Sequence, residues 1–334
     1  MTIEIVRLAH GGGGRLQAKL LDEVILPALE ARALGAPDAA VLDHPGGRLA
    51  LTTDSFVVRP LFFPGGDIGR LAVHGTVNDL AMAGAHPLWL TLGLILEEGL
   101  AVADLQHILA SVRATAQECG VQVVAGDTKV VEAGRGDGVY INTSGVGVVP
   151  DGVQIAPGAI RPGDVLLASG DLGRHGVAIL AAREGLGLDP PIPSDSTSVA
   201  GAVAALLAAG VPVHALRDPT RGGAVAALQE LADASGCRLV LDDAAIPVRD
   251  DVRGACEILG LDPLHSACEG RFLAAVPEHA AAQALTILRG RAEAAGTVAI
   301  GRAEPGEPAV IRRLATGVER RMILPAGEQL PRIC

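Results

Sequence analysis

The chain has 334 residues, enough for about two domains of ~150 residues each, and its 49% of apolar residues can supply both cores. A net charge of -11 repels a phosphate polymer, and 2% of aromatic residues leaves few rings to stack on bases, so nucleic acid is a poor candidate partner. The most apolar run, "PLWLTLGLIL" at 87–96, is far shorter than the ~20 residues that span a bilayer. No basic segment precedes an apolar stretch at the start, so we expect a cytoplasmic protein with no membrane partner.

The first half of the chain alternates helical and strand patterns, which is typical of an α/β domain. Apolar residues recur at helical spacing over 16–35, where Pro27 is expected to introduce a kink, and over 67–84, where Gly84 ends the pattern. In chain order the patterns predict helix 16–35, a short strand ending at Asp54, helix 67–84, strand 88–96, helix 102–119, strand 121–126 followed by Asp127, and strand 138–149.

The second half repeats this alternation after a stretch rich in glycine and proline, 150–164, which marks the expected domain junction. We expect an N-terminal domain over 1–153, a C-terminal domain over 154–320 and a flexible tail over 321–334, whose two prolines and lack of helical period do not fit a packed element. The predicted elements are strands 164–170, 237–242, 270–276 and 297–301, helices 174–185, 198–210, 224–235, 250–260 and 279–295, and strand-like sequence from Pro305.

A run of four glycines after His10 is the first candidate site. In "HGGGG", the residues Gly11, Gly12, Gly13 and Gly14 allow backbone N–H groups to turn toward an anion. The run is neither a Walker A loop nor a G-x-G-x-x-G fingerprint, because the residues that complete those motifs do not follow. Considered alone, a flexible hinge explains it about as well.

Several acidic residues stand where the patterns predict the end of a strand or the start of a helix. Mg²⁺ takes hard oxygen ligands and is usually held by a few carboxylates together with substrate phosphates. Each aspartate taken singly is better explained as a turn residue or, for Asp67, as a helix cap. Taken together beside the glycine run, the residues favour a metal and nucleotide site that comprises Asp54, Asp67, Asn78, Asp79, Asp127 and Asp218.

Lys129 in "GDTKVV" and Glu269 in "SACEGRF" are candidate catalytic groups. Lys129 follows Asp127 by two positions and shares its face if the strand continues. A solvated lysine is the alternative to a lysine that contacts magnesium-bound phosphates. Glu269 precedes Gly270 and a predicted strand, where a general base and a plain turn fit the sequence equally well.

The five cysteines include no C-x-x-C pair, which argues against a disulfide framework or a structural zinc site. Cys334 is the last residue; its own α-carboxylate disfavours the thiolate and only Arg332 has the opposite effect, so we expect a thiol that another protein activates. Ten residues from Pro325 onward reach at most ~33–36 Å, enough for an arm that carries a small group between two active sites. Three other cysteines stand in apolar segments and are expected to be buried: Cys119, Cys237 and Cys256.

Together these motifs resemble the HypE family of hydrogenase maturation proteins, in the superfamily that includes aminoimidazole ribonucleotide synthetase and selenophosphate synthetase. The terminal "PRIC" separates this family from its relatives, and the absence of any cysteine before Cys119 argues against a selenophosphate synthetase. The resemblance runs nearly end to end, through "HGGGG", "LTTDSFVV", "FPGGDIGRLAVHGTVNDLAMAGAHP", "GDTKVV", "INTSGVG", "SGDLGRHGVAI", "RDPTRGG", "CEILGLDPL", "EGRF" and "PRIC".

The resemblance implies a two-domain PurM-like fold of the α/β (α+β) class, with mixed sheets flanked by helices, and a homodimer formed through the N-terminal domain. It also implies an ATP-dependent carbamoyl dehydratase that makes the cyanide ligand of NiFe hydrogenase. HypF would attach a carbamoyl group to Cys334 as a thiocarboxamide. The enzyme would dehydrate this group to a thiocyanate, which passes to iron on the HypC–HypD complex.

The resemblance also assigns roles to the candidate residues. Cys334 would carry the substrate, while Lys129 and Glu269 would handle proton removal from the amide nitrogen and support the charge. Arg70 is a departure, because relatives often have Lys at that position. Mg²⁺ would be held by Asp54, Asp79, Asp127 and Asp218, and ATP by Gly11, Gly12, Gly13, Gly14, Asp54, Asp67, Arg70, Asn78, Asp79, Asp127 and Thr128.

Two other functions fit the residues. A kinase or ligase of the same superfamily, acting on a free small molecule, would stay active without residues 330–334. A nucleotide-switched carrier that uses Cys334 to ferry sulfur or metal would bind ATP without substrate-dependent phosphate release.

Overall fold

The computed structural model describes residues 3–11, 15–30, 40, 42–43 and 46–324. A π-helical turn at Leu21–Ile25 joins the first two helices. The α-helices are Arg15–Leu20 (α1), Leu26–Ala28 (α2), Ile68–Met82 (α3), Val102–Cys119 (α4), Arg174–Glu184 (α5), Ala200–Ala208 (α6), Gly223–Ser235 (α7), Asp250–Leu259 (α8) and Glu278–Arg289 (α9).

The strands form two large sheets and one short hairpin. Those of the first half are Arg48–Phe56 (β1), Phe62–Phe63 (β2), Gly66–Asp67 (β3), His86–Glu97 (β4), Gln122–Val131 (β5) and Val139–Val149 (β6). Those of the second half are Val165–Ala168 (β7), Ala215–Arg217 (β8), Arg238–Asp242 (β9), Leu273–Val276 (β10), Val298–Glu304 (β11), Ala309–Arg313 (β12) and Glu319–Arg321 (β13).

The first sheet has the order β1-β6-β4-β5 and is mixed, because β4 pairs parallel with β5 and antiparallel with β6. Helices α3 and α4 cover one of its faces, where Leu71 and Leu105 pack in one buried cluster with Leu92 and Ile141 of the strands. A strand alternates its side chains between two faces, so the other face of this sheet carries none of these residues.

The second sheet has the order β13-β12-β9-β11-β7-β10-β8 and carries helices on both faces. Helix α7 packs on one face, and α6 and α9 pack on the other. Ala81 and Met82, at the end of α3, join the cluster that contains Val203 and Leu206 of α6. Helix α3 therefore belongs to the core of the first half and also to the contact between the halves.

These two mixed sheets flanked by helices confirm the predicted fold class. Helix 102–119 has the predicted bounds, and helices 67–84 and 250–260 agree to within two residues. Two expectations are wrong: Asp54 was predicted to end its strand and Asp127 to follow one, but both lie inside strands that continue beyond them, β1 and β5. The domain limits and the dimer stay predictions, and the tail from 325 lies outside the described residues.

No helix in the described part of the chain is both long enough and apolar enough to cross a bilayer.

The crossing of α3 and α4 requires glycine at Gly69, because a β-carbon there would overlap the carbonyl oxygen of Ile108. We expect Gly69→Ala to lower the free energy of unfolding by about 1–3 kcal/mol, measured by chemical denaturation. Gly254→Ala in α8 is the matched control, since a β-carbon at Gly254 has no heavy atom within 4 Å. It should stabilise the protein by about 0.5–1 kcal/mol. Equal effects of the two substitutions would contradict this account of the crossing.

Candidate active site

Asp79 marks the point where α3 meets the first sheet and the second half. Thr52 Oγ1 of β1 donates a hydrogen bond to Asp79 Oδ2 at 2.9 Å. Burial raises the pKa of Asp79, and the charge of Asp54 acts in the same direction, whereas the Thr52 bond and the cations Arg217 and Arg221 oppose the rise. This carboxylate therefore sits in a partly desolvated setting near a second carboxylate and two guanidinium groups.

Asp218 comes from the second half, directly after β8 in the loop that leads to α7. It is buried, and burial raises its pKa to about 7, with the negative charges of Asp79 and Asp54 adding to the rise and Arg217 opposing it. Each of these aspartates disfavours ionisation of Asp218, which requires that they lie near one another. Helix α3, which carries Asp79, contacts both β1, which carries Asp54, and β8, which precedes Asp218, so the three aspartates lie on one side of the contact between the two halves.

Glu269 approaches the same face of α3. Its side chain is buried, and a β-carbon built at Gly75 would lie 3.9 Å from Glu269 Oε2. Gly75 and Asp79 are four residues apart on α3 and so share one helical face. Glycine follows at Gly270 because a β-carbon there would overlap the carbonyl oxygen of Asp195. The turn before β10 therefore lies close to α3, and the Glu269 carboxylate faces the side of α3 that bears Asp79.

Lys129 and Asp127 form a separate group on β5. Lys129 Nζ lies 2.5 Å from Asp127 Oδ2, and both side chains are largely exposed. The hydrogen bond from Lys129 is the main cause of the lowered pKa of Asp127. The prediction that they share a face is confirmed, because β5 continues through both. Thr128 is buried on the opposite face, so its side chain does not lie beside theirs.

The start of the glycine run lies against this strand. Residues Leu8–Gly11 form a 3₁₀ turn, and a β-carbon at Gly11 would lie 2.7 Å from the backbone nitrogen of Val130. Gly11 is therefore next to the strand that carries Lys129. The remaining predicted ligands of the run, Gly12, Gly13 and Gly14, lie outside the described residues.

The four predicted metal ligands do not form one cluster in the described part of the chain, and their binding of a metal stays a prediction. The Thr143 hydroxyl donates a hydrogen bond to the Ala72 carbonyl of α3, so Thr143 is on the helix-covered face of the sheet. Asp54 is the partner of Thr143 on the neighbouring strand and therefore lies on the same face. Asp127 pairs with Gly93, and Gly93 pairs with Asn142. Asn142 is next to Thr143 in the strand and points to the opposite face, so Asp127 lies on that opposite face. Because β1 and β5 are opposite edges of the sheet, about 14 Å also separates them. The separation of Asp54 from Asp127 follows from the strand order of the sheet, which the spacing of residues in the sequence does not reveal.

Within the described residues, no three His, Cys, Asp or Glu side chains converge closely enough to hold a metal ion by themselves. Mg²⁺ does not need such a cage, since one or two carboxylates combined with substrate phosphates and water normally suffice. Asp79 and Asp218 supply two hard, clustered oxygen donors of that kind. The residues present therefore fit magnesium bound together with a polyphosphate.

Three further predicted cofactor ligands have structural contacts of their own. Asp67 caps α3, since its Oδ1 accepts hydrogen bonds from the backbone N–H groups of Gly69 and Arg70 at 2.8 and 3.1 Å. Arg70 lies 3.5 Å from a carboxylate oxygen of Glu118. Asn78 is buried and bonded to the second half. Their roles in binding a nucleotide stay predictions.

Arg217 and Arg221 flank Asp218 in "RDPTRGG" and are not among the site residues predicted from the sequence. Both favour the ionised form of Asp79, so they lie on the same side of the site as the carboxylates. The pair of basic residues around that aspartate is the sequence signal that points to them. Arg217 also forms an ion pair with Glu230, with 2.6 Å between Arg217 Nη2 and Glu230 Oε2. The two guanidinium groups still give this side of the site positive charge, which favours an anionic ligand.

The cysteines within the described residues are all free thiols. Burial raises the pKa of Cys119 and of Cys256 to about 11, and it raises the pKa of Cys268 well above its ordinary value. Cys237 and Cys256 are buried as predicted, whereas Cys119 is only half-buried, at the end of α4. Cys334 lies outside the described residues.

Comparison with protein families defines the class of the chain. The family of AIR synthase related proteins matches twice, through its N-terminal domain over residues 36–149 and its C-terminal domain over residues 161–312. The fold and the site between the two sheets thus belong to a two-domain AIR synthase related protein.

Individual relatives narrow the class. The chain is 50% identical to carbamoyl dehydratase HypE of Rhodobacter capsulatus, over 99% of this chain and 98% of the relative. A solved structure of HypE in complex with ATP matches with a TM-score of 0.93 at 42% identity, covering 98% of this chain and 99% of that one. HypE in a complex with HypF matches with a TM-score of 0.82 at 42% identity, covering 92% and 99%. The chain belongs to the HypE family of carbamoyl dehydratases.

The raised pKa of Asp218 predicts a pH dependence of stability in buffer without magnesium. The folded state holds this proton up to about pH 7, whereas the unfolded carboxyl ionises near 3.8, so the folded state binds more protons between these values. Stability should therefore fall as the pH rises through this window, by up to ~1.4 kcal/mol per unit. Asp218→Asn should lose this component, measured by denaturant unfolding from pH 4.5 to about 8. Parallel curves for the two proteins would contradict the burial of an ionisable carboxyl here.

Proposed function

We propose that this protein uses ATP to dehydrate a carbamoyl group carried on Cys334, converting a thiocarboxamide into a thiocyanate that supplies the cyanide ligand of NiFe hydrogenase. The observation that carries the proposal is the convergence of Glu269, Asp79 and Asp218 from two halves of a chain that belongs to the carbamoyl dehydratase family. Two guanidinium groups, Arg217 and Arg221, lie on the same side.

The chemistry requires the amide oxygen to leave, and an amide oxygen is a poor leaving group. Transfer of the ATP γ-phosphoryl group to that oxygen makes it a good one. Loss of both N–H protons and of the C–O bond then forms the C≡N bond, so that thiocarboxamide and ATP give thiocyanate, ADP and phosphate. Electrostatic placement of charged groups is the main catalytic contribution expected in such a phosphoryl transfer.

The carboxylates have two different roles: some bind magnesium, and one removes a proton from the substrate. Asp79 and Asp218, with Asp54 beside them, bind magnesium together with the polyphosphate. When bound, magnesium neutralises charge on the transferred phosphoryl group. Glu269 is buried beside the same face of α3 and accepts a proton from the amide nitrogen. A carboxylate within hydrogen-bond reach of the amide proton can act as a general base.

Lys129, Asp127 and the glycine run contribute from a second copy of the chain. Lys129 and Asp127 are exposed on the face of the first sheet that α3 and α4 leave open. On that face, Leu51 of β1 pairs with Val146 of β6, which pairs with Trp89 of β4, so a row of apolar side chains crosses three strands. An apolar sheet face of this kind is usually covered. In the proposed homodimer a second copy covers it and brings Lys129 to the bound nucleotide.

The C-terminal residues 325–334 carry the substrate to this site. In their extended form these ten residues reach at most ~33–36 Å, which allows Cys334 to visit two sites in turn. The partner that loads the carbamoyl group is HypF, and a related HypE has been solved in complex with HypF. The acceptor of the cyanide is the HypC–HypD complex, and the cycle takes place in the cytoplasm.

Mass measurement of the intact protein tests the reaction. After incubation with HypF, carbamoyl phosphate and ATP, the protein should gain a carbamoyl group and then lose one water. Glu269→Ala should stop at the carbamoylated form, because the base is gone, and Cys334→Ala should gain neither group. A thiocyanate mass on Cys334→Ala, or full-rate conversion by Glu269→Ala in a single turnover, would refute these assignments.

The homodimer is tested by placing a charge in the apolar row. Leu51 is 76% exposed, and Leu51→Asp should yield a monomer in light scattering because the charge would be buried in the interface. Ile258→Asp is the matched control, since Ile258 is 80% exposed on α8 in the other half and should leave the dimer intact. If Leu51→Asp remains dimeric, the open face of this sheet is not the interface.

A further inference from the structure

The main chain of Glu269 is held by polar groups on both sides of the residue. Asp195 Oδ1 accepts a hydrogen bond from the Glu269 N–H at 3.0 Å. The Glu269 carbonyl accepts from the backbone N–H of Thr197 at 3.4 Å and from Asn78 Nδ2, also at 3.4 Å. The peptide groups on either side of the Glu269 α-carbon are therefore fixed, and only the side-chain torsions remain to aim the carboxylate.

Asn78 links this turn to the first half of the molecule. Its side chain is buried on α3, where Nδ2 also donates to the Thr197 carbonyl at 3.0 Å and Oδ1 accepts from the Val199 N–H at 2.8 Å. All three bonds reach across the boundary between the two sheets. Asn78, whose side-chain amide holds the Glu269 carbonyl, immediately precedes Asp79 on α3. The position of the Glu269 turn is therefore tied to the helix that carries Asp79.

Asp195 is an unusual residue to serve only as a structural hydrogen-bond acceptor. It is 4% exposed, and burial raises its pKa while the neighbouring Arg271 opposes the rise. Among the described residues, nothing donates a hydrogen bond to its second oxygen, Oδ2. A buried carboxylate that is only half satisfied contributes little to stability. What Asp195 does provide is a fixed direction for the Glu269 N–H.

We propose that Asn78 and Asp195 are positioning residues, which hold the Glu269 carboxylate in register with Asp79 across the boundary between the halves. The inference rests on the proposed role of Glu269 as the base. A base must lie within hydrogen-bond reach of the proton that it removes, and a displacement of about 1 Å can cost about 100-fold in rate. The two residues act through Glu269 and not on the substrate.

The test compares Asn78→Ala, Asp195→Ala and Asp195→Asn in the full chain. The rate of water loss from the carbamoylated protein is measured in a single turnover, beside ATP affinity and thermal stability. We expect both alanine variants to slow water loss by about 10- to 100-fold, with the ATP affinity of Asp195→Ala changed less than about twofold. Asp195→Asn keeps an acceptor oxygen and should stay within about threefold of the wild-type rate.

Asp164→Ala is the matched control for loss of a buried acceptor. Asp164 is also 4% exposed in the second half and accepts hydrogen bonds from the Arg161 N–H at 2.8 Å and from His214 at 2.6 Å. It should lower thermal stability but leave the rate of the folded protein unchanged. If Asp164→Ala slows water loss as much as Asp195→Ala does, the effect is structural and the proposal falls.

A double-mutant cycle with Glu269→Ala separates this inference from the proposed function. If the residues act through Glu269, adding Asn78→Ala or Asp195→Ala to Glu269→Ala should slow the reaction less than about twofold further. Full activity of Glu269→Ala alone would overturn the role of the base, and this inference with it. A slow Glu269→Ala beside wild-type rates for Asn78→Ala and Asp195→Ala would overturn the positioning role alone.

Discussion

The hydrogen bonds from Asn78 to the second half of the chain are the constraint on which the site depends. One buried amide on α3 satisfies two carbonyl groups and one N–H of the facing segments. Buried backbone groups must be paired, so these bonds fix how α3 sits against residues 195–199 and the turn at Glu269. Movement between the halves would leave several buried polar groups without partners.

Helix α3 can serve this purpose because it is buried on almost every side. Its apolar residues pack in the core of the first sheet, its end packs on α6, and its glycines allow Ile108 and Phe56 to come close. Only Arg70 and Asp79 of this helix are not fully buried, and Asp79 is a carboxylate partly held by Thr52 at the edge of that packing. A carboxylate on so constrained a helix has little freedom to move, which suits the metal-binding role proposed for Asp79.

Much of this arrangement was predictable from local sequence. Periodicity gave the bounds of α4, and the prediction of Asp67 as a helix cap is confirmed, because both are decided by neighbours within one turn. Asp54 and Asp127 were misplaced because strand length and strand order depend on pairing with distant segments. The bonds of Asn78 span about 120 positions or more, and no spacing rule reveals them. The motifs identified Glu269 and Asp218, but their encounter with Asp79 is a tertiary property.

The burial of the other thiols has a consequence for the proposed cargo. A thiocyanate sulfur is electrophilic, and an internal thiolate would attack it, form a disulfide and release free cyanide. Cys268 is adjacent to Glu269, yet burial keeps it protonated, and Cys119 and Cys256 are likewise poor nucleophiles at neutral pH. If the proposed thiocyanate forms on Cys334, the thiols of Cys268, Cys119 and Cys256 are too weakly ionised to displace cyanide from it.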